Sequence, residues 1–270
     1  MRADRFLYLR GLAKSRSHAA SLIDGGVTLD GKPIQKPAQD IPEDTDVSRI
    51  RIQNPSKYVS RGGYKLEAAL EGFRIDVKGK TVLDLGASTG GFTDCLLQHG
   101  AARVFAVDVG HGQLDAALQG DPRVISMEGT NARLLTSEDF GGEHIDLAVS
   151  DLSFISQALI YPAVFRTVSR GGAFISLIKP QFEAGREKVG KKGVVRDPAV
   201  HLEVLESFLR HAKENNFTVL GITYSPIRGP EGNIEYLGYL KKGGEADCVP
   251  DLRALVDASH SALKEGHGEI

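Results

Sequence analysis

Two sets of side chains in this sequence have the types and spacing to do chemistry. The first is the turn Asp84-Leu85-Gly86-Ala87-Ser88-Thr89-Gly90-Gly91, at the end of the apolar run Thr81 to Leu85. Glycines there let the backbone pass close to a ligand. The spacing lacks the G-x-G-x-x-G pattern that seats a pyrophosphate on a helix end. Asp84 would put negative charge near a cationic ligand such as a sulfonium amino acid. Asp108, about 20 residues on at the end of the next strand, is placed to accept hydrogen bonds from ribose hydroxyls. Asn131 in Thr130-Asn131-Ala132 offers amide groups to an adenine edge, although an asparagine in a loop is also a common turn residue. Together these choices point to S-adenosylmethionine, with Asp84, Gly86, Ala87, Ser88, Gly90, Gly91, Phe92, Thr93, Asp108, Val109, Asn131 and Asp151 as its expected contacts. The competing reading is a tight strand-to-helix turn that holds no ligand.

The second set is Ser150-Asp151 and Lys179-Pro180, each following an apolar run. Methyl transfer to a hydroxyl needs in-line approach and a group that removes the hydroxyl proton. A lysine serves as that base only with a lowered pKa, which desolvation or a second lysine would favour and Asp151 would limit. Lys65 lies at the edge of an apolar helical face formed by Leu66, Ala69, Leu70 and Phe73, within reach of a neighbouring pocket.

Positioning these groups requires alternating strands and helices. Thr81 to Leu85, Val104 to Val107, Val124 to Ser126, Ile145 to Val149, Ala173 to Ile178, Thr218 to Tyr224 and Glu235 to Leu240 read as strands. Phe92, Cys95, Leu96 and His99 recur at helical spacing, and Asp197-Pro198 starts a helix that runs to about Asn215. The pattern is an α/β doubly wound, Rossmann-like domain, with ligands outside the carboxyl ends of its strands. Ahead of it, residues 1–36 carry seven Lys or Arg against three acidic residues. A short helix from near Ser15 to Gly25-Gly26 and a hairpin about Asp30-Gly31 are expected there. Arg2, Arg5, Lys14, Arg16 and Lys32 on this module suit phosphate contact, and the alternative is a solvated charged face. Lys191 and Lys192, in the glycine-containing basic loop from Glu183 to Arg196, are expected to close over RNA beside the site.

Lys65 in Ser60-Arg61-Gly62-Gly63-Tyr64-Lys65, Asp151 in Ser150-Asp151-Leu152-Ser153-Phe154, Lys179 in Ile178-Lys179-Pro180-Gln181-Phe182 and Glu235 in Asn233-Ile234-Glu235-Tyr236 resemble the Lys-Asp-Lys-Glu tetrad of FtsJ-like 2'-O-methyltransferases. With Gly11-Leu12-Ala13-Lys14-Ser15-Arg16 and the Asp30-Gly31-Lys32 hairpin, the chain resembles the TlyA family over nearly all of residues 1–242. Its members join an S4-type RNA-binding domain to such a methyltransferase and have often been labelled haemolysins. The resemblance implies methylation of a cytidine ribose 2'-hydroxyl in ribosomal RNA, in which Lys179 is the base or the hydroxyl-orienting group. Lys65, Asp151 and Glu235 would complete the catalytic site, and Arg61 would join the RNA-binding residues. It also implies an S4-like α+β domain over residues 1–56, a linker over 57–62 and the methyltransferase domain over 63–270. Around Val109 to Leu118, where members usually carry a tyrosine and a tryptophan, this chain has His111 and no tryptophan.

Composition bounds the remaining readings. A net charge of -2 with 41% hydrophobic residues describes a globular chain. Arg2, Asp4, Arg5 and Arg10 interrupt any secretory signal. The charge-free stretch from Leu152 to Phe165 is too short to span a bilayer and contains Pro162. Two cysteines, Cys95 and Cys248, form no disulfide framework, and the histidines have no paired ligand spacing, so a cytoplasmic protein without a metal is expected. Competing functions are a methyltransferase for a small molecule or protein, which the basic amino end disfavours, and an RNA-binding protein without catalysis, which the glycine turn and tetrad disfavour.

Overall fold

The computed structural model describes residues 1–13, 16–53, 57–229, 231–244 and 246–263. At the amino end, α1 (Ala3–Leu9) and α2 (Arg16–Asp24) pack on a three-stranded antiparallel sheet of β1 (Val27–Leu29), β2 (Lys32–Pro33) and β3 (Ile50–Ile52), in the order β2-β1-β3. Asp30 and Gly31 join β1 to β2 with φ of 51° and 77°, the left-handed pair that a two-residue hairpin demands. Ala3, Phe6 and Leu7 of α1 meet Leu22 and Ile23 of α2 and Val27 of β1 in a separate small core. The sequence pattern places the expected helix of this unit near Ser15 and no element over residues 1–12. The apolar positions 3, 6 and 7 nevertheless have the spacing of one helical face.

Beyond this unit come α3 (Gly62–Gly72), β4 (Thr81–Leu85), α4 (Gly91–Gln98), β5 (Arg103–Val107), α5 (Ala116–Gln119), β6 (Val124–Met127), β7 (Ile145–Ser150), α6 (Tyr161–Thr167), β8 (Val168–Ile178), α7 (Pro180–Glu183), α8 (Pro198–Glu214), β9 (Phe217–Tyr224), β10 (Tyr236–Lys242) and α9 (Leu252–Ala262). The seven long strands form one sheet in the order β6-β5-β4-β7-β8-β10-β9. β4 to β8 pair in parallel, whereas β10 runs antiparallel between β8 and β9.

Alternation along the strands divides the core into two layers. Leu83, Leu85, Phe105, Val107 and Phe174 face α6, α8 and α9, while Val82, Val104, Leu147, Ile175 and Leu177 face α3, α4 and α5. Both faces of the sheet are therefore covered, as a parallel sheet requires. Asp197 caps α8 by accepting from the Ala199 amide at 2.9 Å, with Pro198 at its first turn. Tyr58 and Val59, in the stretch expected to link the two units, are buried in the α3/α4 layer, where the Val59 amide donates to Asp94 Oδ2 at 2.8 Å. This arrangement brings the carboxyl ends of β4, β7 and β8 side by side.

Candidate active site

β4 pairs with β7 so that Leu85 stands opposite Ser150, and the residues that follow meet directly. The Asp151 amide donates to the Leu85 carbonyl at 3.1 Å, and Gly86 turns away with φ of 84°. A Cβ on Gly86 would stand 2.7 Å from the Asp151 carbonyl oxygen, and one on Gly91 2.2 Å from Ser60 Oγ. Glycine is thus required where backbone elements crowd the floor of the turn. Gly90, with φ of 94°, lies instead against the side chains of Leu114 and Leu118, so packing accounts for it.

The turn opens on a cleft of about 770 Å³ that Gly86, Ala87, Ser88, Gly91 and Phe92 line together with Lys65, Asp151, Lys179 and Glu235. That volume lies within the range of small-molecule and cofactor sites. The four ionisable groups come from α3, from the ends of β7 and β8, and from the residue before β10. They form two ion pairs. Lys65 Nζ lies 2.6 Å from Glu235 Oε2, with both side chains buried. Burial opposes the Lys65 charge, but the charges of Glu235 and then Asp151 outweigh it and raise its pKa. Glu235 Oε1 also accepts from the Gln181 amide at 3.3 Å. Lys179 Nζ lies 2.5 Å from Asp151 Oδ1 and donates to Ser153 Oγ at 3.0 Å. An ammonium carries three protons, and two directions are engaged by these partners. One remains for a substrate oxygen.

The other expected cofactor residues sit around the turn without all facing the cleft. Asp84 is completely buried, with Oδ2 accepting from the Thr93 hydroxyl at 2.6 Å and Oδ1 lacking a partner. Burial, assisted by the charge of Asp151 and opposed by Thr93, pushes the Asp84 carboxyl up to about 7. Asp108 braces the turn by accepting from the amides of Ser88 and Gly110, each at 2.8 Å. Its carboxylate keeps further lone pairs, so it remains able to meet ribose hydroxyls. Val109 is exposed beside it. Asn131 accepts from the Arg133 amide at 3.1 Å and caps a short 3-10 turn.

The expected RNA contacts fall into two places. Arg2 and Arg16 both pair with the buried Asp4, at 2.9 and 2.7 Å. Burial works against the Asp4 charge, but the two guanidiniums hold its carboxyl down at about 2. Arg5 and Lys32 are exposed, and Lys14 lies outside the described residues. Arg61 instead lines the cleft, donating to the Arg228 carbonyl at 3.0 Å. Lys191 and Lys192 are exposed on a segment fastened at both ends: Glu183 accepts from Ser156 and Gln157, and the Val195 amide donates to Asn233. The segment is a wall of the cleft through Val189 and Gly193.

Several lining residues escaped the sequence reading. Phe154 is 87% exposed at a left-handed φ of 67°, with its ring 5.2 Å from that of Phe182. Phe182 in turn lies 5.8 Å from Lys179 Nζ. Ser153, Gln181, Arg228, Glu231 and Asn233 complete that side. The left-handed aromatic was the available signal only once the backbone was known, because its local sequence reads as an apolar run.

Comparison with known proteins places this geometry. Residues 58–242 match the FtsJ-like methyltransferase family and residues 1–47 match the S4 domain. The 16S/23S rRNA (cytidine-2'-O)-methyltransferase TlyA of Mycobacterium tuberculosis is 46% identical over 98% of both chains. Hemolysin A of Brachyspira hyodysenteriae is 44% identical, covering 88% of this chain and 99% of its own. A solved structure described as a putative hemolysin from Streptococcus thermophilus superposes with a TM-score of 0.79 at 40% identity, over 100% of this chain and 98% of that one.

Proposed function

The chain belongs to the TlyA family of FtsJ-like methyltransferases with an S4 domain, and we propose that it methylates the 2'-hydroxyl of a cytidine in ribosomal RNA using S-adenosylmethionine. The observation that carries this reading is the Lys179–Asp151 pair at the strand ends, in one cleft with the glycine turn and the Lys65–Glu235 pair.

The residues present fit the cofactor. Gly86 and Gly91 line the cleft at positions where a Cβ would collide with Asp151 and Ser60, and Asp108 stands at the end of β5 with acceptor capacity to spare. Bound there, S-adenosylmethionine supplies a methyl group on a positively charged sulfur. Gly86, Ala87, Ser88 and Phe92 would hold it, with Asp108 toward its ribose.

Lys179 Nζ, fixed between Asp151 and Ser153, points its remaining proton at the target 2'-oxygen and sets the direction of that oxygen's lone pair. The hydroxyl proton would pass to the Asp151 carboxylate, because the Lys179 ammonium already holds its three protons and serves to orient the oxygen. Glu235 holds Lys65, and Lys65 places a second positive charge beside Asp151, which steadies the negative charge developing on the oxygen. Phe154 and Phe182 offer ring faces at the mouth on which an unstacked base can lie. Arg5, Lys32, Lys191 and Lys192 are exposed for phosphate contacts with ribosomal RNA, free or in ribosomal subunits. A ribosomal substrate would place the reaction in the cytoplasm. No helix among the described residues is long and apolar enough to cross a membrane.

The test is transfer of tritiated methyl from S-adenosylmethionine to unmethylated small and large ribosomal subunits. The unaltered chain incorporates label, and Lys179→Ala lowers the rate by about a hundredfold or more. No incorporation into either subunit would overturn the reading.

A further inference from the structure

Most charges lining the cleft are already engaged. Lys65 is paired with Glu235 and Lys179 with Asp151, while the Arg228 guanidinium donates to the carbonyls of Gly232, at 2.8 Å, and Leu263. Glu231 differs. Its side chain is exposed, lines the same cleft and makes no hydrogen bond or ion pair among the described residues.

The turn that carries Glu231 is firmly held. The Gly229 amide donates to the Asn233 carbonyl and the Gly232 amide to the Gly229 carbonyl, both at 2.9 Å. Asn233 accepts from the Val195 amide at 3.0 Å and donates to the Gly193 carbonyl at 2.9 Å, which ties this turn to the opposite wall segment. Gly229 presses on the tetrad itself, since a Cβ there would stand 2.5 Å from Glu235 Oε1. Glu231 is therefore presented from a braced turn seated directly on Glu235.

An unpaired carboxylate is electrostatically adverse in a cleft that must admit a polyanion. A hydrogen-bond donor on the substrate reverses that penalty. Ribose and phosphate present mainly oxygens, and the reacting hydroxyl belongs to Lys179. Of the donors an RNA substrate brings, a base amine is the one that distinguishes one nucleoside from another. Cytosine carries an exocyclic N4 amine, whereas uracil places the O4 acceptor at the same edge and would be repelled.

We propose that Glu231 is a specificity-determining residue whose carboxylate accepts a hydrogen bond from the exocyclic amine of the target cytidine. The proposal rests on the methyl-transfer reading above and deepens it. The base would lie toward the Phe154–Phe182 side with its amine edge turned to the Glu231 turn.

The experiment compares kcat/KM for ribosomal RNA bearing cytidine or uridine at the methylated position, for the unaltered chain, Glu231→Ala and Glu231→Gln. Calorimetric titration with S-adenosylhomocysteine checks that each variant keeps its cofactor site. The unaltered chain should favour cytidine by about ten- to a hundredfold, and Glu231→Ala should reduce that preference to within about threefold. Glu231→Gln should fall between them, because its carboxamide oxygen still accepts from an amine while its NH2 group can also donate to O4. An unchanged cytidine preference in a Glu231→Ala protein that binds S-adenosylhomocysteine normally would overturn the proposal alone. An unaltered chain that methylates neither RNA would overturn the methyl-transfer reading as well.

Discussion

Asp84 gives the structure a pH dependence that one substitution should remove. Its carboxyl is 0% exposed, has one hydrogen-bond donor in Thr93, and is pushed up to about 7 by burial. In the unfolded chain an aspartate titrates near its ordinary value of about 3.9. Between these two values the folded chain binds the proton and the unfolded chain does not. Stability is then fully present below the unfolded value and is lost as the pH rises toward the folded one. At about 1.4 kcal/mol per unit, the interval from pH 5.5 to 7 alone amounts to roughly 2 kcal/mol, with little further loss above it. Asp84→Asn keeps the shape and an acceptor for Thr93 but cannot ionise. Urea denaturation of both proteins at pH 5.5 and pH 8 should show the unaltered chain losing about 2 kcal/mol relative to the variant. Because the group is buried, added salt should change that difference little. Parallel losses in the two proteins would refute the reasoning and mean that Asp84 is already ionised in the folded state at pH 5.5.

Gly86→Ala introduces a Cβ 2.7 Å from the Asp151 carbonyl at a φ of 84°, so S-adenosylhomocysteine should bind at least about tenfold more weakly by calorimetry; an unchanged affinity would show that the turn does not floor the cofactor site. Phe154→Ala removes one stacking face from an exposed position, and kcat/KM for ribosomal subunits should fall by about five- to a hundredfold while S-adenosylhomocysteine affinity and thermal stability stay the same. Equal activity would remove Phe154 from the substrate path. Reversing the exposed Lys191 and Lys192 to glutamate should lower the slope of log affinity for RNA against log salt by roughly two, measured by filter binding; an unaltered slope would place both lysines away from phosphate.

Local pattern carried the sheet well because its central strands are buried on both faces. Thr81 to Leu85 was read from sequence with the bounds it has in the structure, and the helix begun by Asp197-Pro198 ends one residue short of the expected Asn215. β8 is longer than its apolar stretch, since Ser169, Arg170, Gly171 and Gly172 extend the strand without apolar side chains. Lys65 shows what periodicity alone leaves out. At the edge of a helical face a lysine is ordinarily solvated, yet here it is buried because Glu235 reaches it from 170 residues further along the chain. Only the family resemblance joined those two positions in advance. Asn131 and Asp84 have structural roles that residue type alone did not indicate: Asn131 Oδ1 caps a short turn and Asp84 lies buried beneath the glycine turn. Phe154 and Glu231 depend on turn geometry and on what stands across the cleft, neither of which a linear pattern encodes.

The central claim is that the methyl group goes to a ribose oxygen of cytidine. Its most direct test is to treat unmethylated ribosomal subunits with the protein and isotopically labelled S-adenosylmethionine, digest the RNA to nucleosides and identify the labelled one by mass spectrometry. The arrangement of Lys179, Asp151, Lys65 and Glu235 predicts a 2'-O-methyl nucleoside, and the relation to the TlyA methyltransferases predicts that it is 2'-O-methylcytidine. Label on a base carbon or nitrogen, or on no nucleoside at all, would contradict it.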